Sequence, residues 1–128
     1  MQHLIEKAKE ATKNAYTPYS DYQVGAAIAC ADGTVYTGCN IENAAFSPTV
    51  CAERVAIFKA ISEGKREFVA LALWGGKAGK VDGSCTPCGV CRQVLREFCS
   101  PDMPIYMARP EGFETVTLEQ LLPRSFSL

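Results

Sequence analysis

Apolar residues recur at helical spacing along residues 2–15, at Leu4, Ile5, Ala8, Ala11, Thr12 and Ala15, with Lys and Glu on the opposite face. That spacing predicts an amphipathic helix, broken by Pro18 in "TPYSDY". In the next stretch, "QVGAAIACADGTVYTGC", the period falls to two, which predicts a hairpin turning at Asp32-Gly33. Alternation sends Val24, Ala26, Ile28 and Cys30 to one face. It leaves Gly25, Ala27 and Ala29 on the other, small enough for another element to approach closely.

"SPTVCAERVAIFKAISEG" has helical punctuation, with Ser47 as a cap, Pro48 at the first helical position and Gly64 past the end. Val50, Ala52, Val55, Ala56, Ile57, Phe58, Ala60 and Ile61 cover most of its circumference, so it should be largely buried. "FVALALWGG" is a continuous apolar run, the mark of a central strand covered on both faces. "TPCGVCRQVLREFC" repeats the helix-start pattern, with Thr86 as cap, Pro87 first, and Val90, Val94, Leu95 and Phe98 on one side. "PIYMAR" and "ETVTL" read as strands and "LEQLLP" as a closing helical turn. Helices between strands imply crossovers and parallel pairing after the hairpin. The whole, residues 1–128, reads as one α/β domain: a three-layer α/β/α sandwich on a mixed five-stranded sheet.

Charge changes the picture by exclusion. Thirteen Lys and Arg nearly cancel fourteen Asp and Glu, with no run of either sign, so the basic stripe of a nucleic-acid-binding protein is missing. No segment approaches the roughly 20 apolar residues of a membrane span, and the charged N-terminus lacks the apolar stretch of a signal peptide. The expectation is a cytoplasmic protein with no membrane partner and no nucleic-acid partner. Seven cysteines in such a protein read as metal ligands or catalytic groups sooner than as disulfides.

Three of them fall in related places. Cys51 begins one apolar helix; Cys88 and Cys91, three apart and so on one face, begin another. Helix N-termini favour thiolates. If both helices pack on the same sheet face, the three sulfurs converge, and soft ligands on a rigid frame suit zinc. A catalytic zinc keeps one position for water and lowers its pKa toward ~7, so a second group must move protons. Glu53, two residues from Cys51 in the most apolar helix, is the natural candidate, because a carboxylate there is costly to bury unless it is used. Other readings remain open. Cys88 and Cys91 could be a redox pair, and Cys85 could join the three in a closed four-thiolate structural site. An iron–sulfur run would need cysteine where Leu95 stands. A zinc-stapled interaction module would leave Glu53 merely orienting a ligand. Cys30, Cys39 and Cys99 read as small core residues, and His3 as a surface side chain.

"YQVGAA", "GCNIENAAF", "CAER", "PCGVCRQV" and "LLPRSF", in that order, resemble the small zinc-dependent cytidine deaminases of the three-cysteine type, from about Ala15 to Phe126; the zinc-deaminase signature is a general one. The resemblance implies a cytidine deaminase-like fold and one zinc per chain on Cys51, Cys88 and Cys91. It implies Glu53 as the proton carrier while activated water attacks C4 of cytosine. It assigns Asn40 and Glu42 to the ribose hydroxyls, the Ala52 backbone N–H to the pyrimidine edge, and Tyr22 to a wall of the base site. Arg54 would donate to ligand sulfur and offset the excess thiolate charge, a role with its own physical rationale. Phe126 would reach a neighbouring subunit's pocket in a homotetramer. Two positions depart from the family pattern: Tyr22 stands where phenylalanine is usual, and Phe46 where tyrosine is common. The implied reaction is hydrolytic deamination of free cytidine and deoxycytidine in pyrimidine salvage. A drug deaminase of the blasticidin type would share "CAE" and "PCG" but not the ribose-binding "CNIEN".

Overall fold

The structure, a computed structural model, describes residues 1–128. Helix α1 (Gln2–Ala11) runs into a 3-10 turn (Thr12–Asn14), then strands β1 (Tyr22–Cys30) and β2 (Val35–Cys39). Helix α2 (Ala52–Ser62), strand β3 (Phe68–Lys77) and helix α3 (Gly89–Phe98) follow. Strands β4 (Pro104–Arg109) and β5 (Gly112–Thr117) and the short α4 (Leu118–Leu121) complete the order. The five strands form one sheet in the order β2-β1-β3-β4-β5, a mixed α/β arrangement with helices on both faces, as the sequence pattern predicted.

Parallel pairing is rarer than the alternation of elements suggested. Only β3 and β4 pair in parallel; β1 is antiparallel to both β2 and β3, and β4 to β5. The crossover through α2 carries the chain from the edge strand β2 past β1 to β3, so its two strands run in the same direction without touching. The connections leaving β2 and β3 therefore emerge at the same end of the sheet. Both α2 and α3 begin there, and so does β1, with Tyr22 opposite Lys77.

Alternation along β1 divides the core as predicted. Ala26, Ile28 and Cys30 join Ala56, Ile57, Leu71, Leu73, Leu95 and Ile105 beneath α2 and α3. Ala27 and Ala72 face Leu4, Ile5 and Ala8 of α1. Burying each large aliphatic side chain contributes roughly 1.5–3 kcal/mol. Two glycines set how close the helices lie. A Cβ on Gly25 would stand 2.0 Å from the Ala8 carbonyl oxygen, and one on Gly38 2.5 Å from that of Ala52 and 2.6 Å from the Ala56 nitrogen.

Both functional helices start later than the Ser47-Pro48 and Thr86-Pro87 signals suggested. Val50 exchanges two backbone hydrogen bonds with Ile41, each 3.0 Å, which holds residues 49–51 extended and moves the cap of α2 to Cys51. The Pro87 carbonyl accepts from Arg92 Nε at 2.7 Å, and Cys88 becomes the cap of α3, its sulfur accepting from the Cys91 N–H at 3.4 Å. Nor are the two helices buried all round. Phe58 is 46% exposed and Val90 59%, because each helix packs on the sheet with one side only.

Gly38→Ala should lower unfolding stability by about 1–3 kcal/mol and shift the first turn of α2. Urea unfolding checks the first effect, and zinc content per chain the second.

Candidate active site

The late helix starts place sulfur at the site. Cys51 caps α2, Cys88 caps α3, and Cys91 lies one turn further on. Their sulfurs all lie within 4.8 Å of one another. Cys51 and Cys88 are separated by 3.6 Å, and Cys88 and Cys91 by 3.4 Å. Tetrahedral zinc with Zn–S bonds near 2.3 Å wants sulfurs about 3.8 Å apart, so the three thiols fit one zinc ion per chain. Cys85 is outside this group. It is buried, and burial pushes its thiol up to about 12, which leaves a three-sulfur set with room for a further ligand rather than a closed four-thiolate site.

Crowded sulfurs share protons unevenly. Hydrogen bonding from Cys91, together with the Arg54 guanidinium, lowers the Cys51 thiol to about 5, and Cys91 is raised correspondingly. Arg54 Nη2 donates to Cys51 Sγ at 3.5 Å. This is the placement that its rationale required: a fixed cation against a ligand sulfur.

Glu53 is 4% exposed, the one charged residue among the buried set. Burial, with the nearby Cys51 charge adding to it, pushes its carboxyl up to about 7 against opposing hydrogen bonds. It opens onto a cleft of about 380 Å³, a size that suits a small ligand. Tyr22, Asn40, Glu42, Cys51, Ala52, Glu53 and Cys88 all line it, so eight of the ten residues singled out in the sequence meet there or, like Cys91, abut it. Phe126 does not: it is 67% exposed and away from the cleft of its own chain.

Glu42 is held by three donors, the backbone N–H groups of Tyr19 (2.9 Å) and Ser20 (3.2 Å) and the Ser20 hydroxyl. Led by the Ser20 hydroxyl, they lower its pKa, so it is an ionised acceptor at the open side. Asn40 spans the start of β1, its Oδ1 accepting from Val24 N–H (2.9 Å) and its Nδ2 donating to the Tyr22 carbonyl (2.8 Å). Sequence reasoning missed Ser20 and Ser84, which also line the cleft. Each sits in a stretch that reads as an ordinary turn, and Ser20 meets Glu42 only across 22 residues of chain.

With this geometry in place, similarity to known proteins is decisive. Residues 1–107 match the model of the family described as the cytidine and deoxycytidylate deaminase zinc-binding region. The chain belongs to that family. It is 49% identical over 128 residues to a cytidine deaminase of Sporosarcina psychrophila, covering 99% of this chain and 91% of that one. A cytidine deaminase of Halalkalibacterium halodurans is 46% identical over 127 residues, covering 98% and 93%. The crystal structure of a cytidine deaminase from Burkholderia pseudomallei superposes with a TM-score of 0.89 at 41% identity, covering 98% of both chains. The chain is thus a zinc-dependent deaminase of the cytidine deaminase family, on that family's fold.

Arg54→Ala should weaken zinc retention by removing the cation from Cys51, whereas Cys85→Ser should leave zinc content intact. Metal analysis after dialysis against a mild chelator checks both; loss of zinc from the Cys85 variant would restore the four-thiolate site.

Proposed function

We propose that this deaminase converts free cytidine and deoxycytidine, with water, to uridine and deoxyuridine, releasing ammonia in pyrimidine salvage. The observation that carries the reading is a buried Glu53 carboxyl opening onto a nucleoside-sized cleft beside three converging sulfurs. Cys51, Cys88 and Cys91 would hold a zinc ion, which would supply the positive charge that makes water acidic enough to ionise near neutral pH. Glu53 accepts one proton of the attacking water and delivers it to ring N3. It then takes the second from the new C4 hydroxyl and passes it to the amine, so that the C4 carbonyl forms, the C4–N bond breaks and ammonia leaves. A carboxyl whose pKa lies close to the working pH suits both directions of transfer. The Ala52 N–H, in the first turn of α2, offers a donor to the pyrimidine edge, while Asn40 and Glu42 bind the sugar hydroxyls. Tyr22 forms a wall of the base site, and Arg54 keeps the thiolate charge in check.

The cleft favours nucleosides over the deoxycytidylate of the family's description. None of its lining residues is Lys, Arg or His, and Glu42 is ionised at its open side. A phosphate would find no cation and would meet a carboxylate. The seven free cysteines suit a reducing cytoplasm, and no helix is long and apolar enough to cross a membrane.

Purified protein mixed with cytidine should convert it to uridine, followed by absorbance, with deoxycytidylate turned over far more slowly than deoxycytidine. Glu53→Ala should retain zinc and lose about 10²–10⁴-fold in rate; an unchanged rate would remove Glu53 from the reaction.

We further infer a homotetramer. Support comes from Phe58 and Val90, which leave apolar surface uncovered on α2 and α3, and from Phe126, whose ring lies free near the C-terminus. Light scattering should give four chains; a fully active monomer would overturn the assignment.

A further inference from the structure

One wall of the cleft carries a hydrogen-bond chain that the deamination chemistry leaves unexplained. Tyr22 Oη and Ser84 Oγ are 2.6 Å apart, and Ser84 Oγ donates to Asp82 Oδ1 at 2.5 Å. The Ser84 backbone N–H donates to the same oxygen at 3.0 Å. A serine hydroxyl has one proton, and that of Ser84 is committed to the carboxylate. Tyr22 must therefore be the donor in the first bond. Its phenol oxygen is left with lone pairs only. Hydrogen bonds from Ser84 hold the Asp82 carboxyl below its usual range, so the acceptor end of the chain is ionised. Burial raises the Tyr22 phenol, so the donor end keeps its proton.

The same tyrosine is tied to the sugar side of the cleft through its backbone. Its N–H donates to Ser20 Oγ at 3.0 Å, and Ser20 in turn donates to Glu42. Its carbonyl accepts from Asn40 at 2.8 Å. Its ring thus links the Asn40 and Glu42 side to the loop that leads into Cys88. Elsewhere that loop is gripped from behind, by Arg109 Nη1 on the Cys85 carbonyl (3.0 Å) and Arg92 Nε on the Pro87 carbonyl (2.7 Å). Gly83, at φ +87°, lets the chain turn so that the N–H and the hydroxyl of Ser84 both donate to one oxygen of Asp82.

We propose that Tyr22, Ser84 and Asp82 form a polar clasp across the nucleoside cleft, which holds the wall at residues 82–86 and makes Tyr22 Oη a hydrogen-bond acceptor for a hydroxyl or amino hydrogen of the bound nucleoside. The inference rests on the nucleoside reading of the site. Phenylalanine at position 22 could neither close the clasp nor accept the bond, so Tyr22 and Ser84 are positioning and specificity residues of this cleft.

The test combines cytidine kinetics with hydrogen exchange at residues 82–86 for Tyr22→Phe, Ser84→Ala and the double variant. Each single substitution should raise KM roughly 2- to 10-fold, one hydrogen bond's worth, with the loss falling on KM more than on kcat. The double variant should be no worse than the poorer single one, and exchange at 82–86 should quicken in all three. Asp82→Ala, which removes no group lining the cleft, should reproduce Ser84→Ala and decides the matter if Tyr22→Phe does not fold. Unchanged KM in the single variants overturns the specificity role of Tyr22 and Ser84, even where exchange quickens, since the contact is then merely structural. Effects that multiply in the double variant overturn the clasp. A wild-type protein inert toward cytidine would remove the nucleoside reading instead; exchange would then decide the clasp alone, quickening supporting it and unchanged rates overturning it.

Discussion

Three sulfurs held within 4.8 Å of one another repel as they ionise, and much of this end of the molecule serves to keep them together. Two helix N-termini aim their unpaired N–H groups at the cluster, and Arg54 adds a full positive charge against Cys51. The helices can meet there because β2 and β3 run in the same direction, both antiparallel to β1, so their outgoing connections share an end of the sheet. Gly38 lets α2 settle directly onto β2. A side chain in that gap would lift the cap of α2 away from that of α3.

The same end separates two carboxylates by environment. Glu42, half-buried and gripped by Ser20 and Tyr19, is held ionised and serves as a fixed acceptor. Glu53, enclosed beneath the cleft, is raised to about 7 and can hold or release a proton. Environments that push two like groups apart assign them different work. In the proposed reaction one binds and the other moves protons. Tyr22 stands between the two halves of the cleft, tied by its backbone to Asn40 and by its hydroxyl to the wall that leads into Cys88.

The outward sides of α2 and α3 carry a different consequence of the same packing. The apolar circumference of α2 and the apolar side of α3 exceed what one sheet face can cover, and Phe58 and Val90 remain in water as a result. The sequence pattern alone reads such residues as core, since periodicity reports that a face is apolar but not which surface covers it. Phe126, near the C-terminus, is likewise exposed.

What the sequence determined by itself was local or compositional. Alternation in β1 sorted Ala26 and Ile28 from Ala27, the apolar run of β3 marked the central strand, and the spacing of Cys51, Cys88 and Cys91 marked the sulfur cluster. Pairing direction was not legible, because a crossover passes over an intervening strand without leaving a sign in the residues it joins. Helix starts were misplaced by four residues at α2 and two at α3, because the competing Val50–Ile41 bridge and the Arg92–Pro87 bond come from distant parts of the chain. Only the tertiary structure excluded Cys85 from the sulfur cluster and joined Ser20 to Glu42 and Ser84 to Tyr22. Those are contacts between residues 22 and 62 positions apart, and a hydrogen bond is decided by the few tenths of an ångström that only the packed fold supplies.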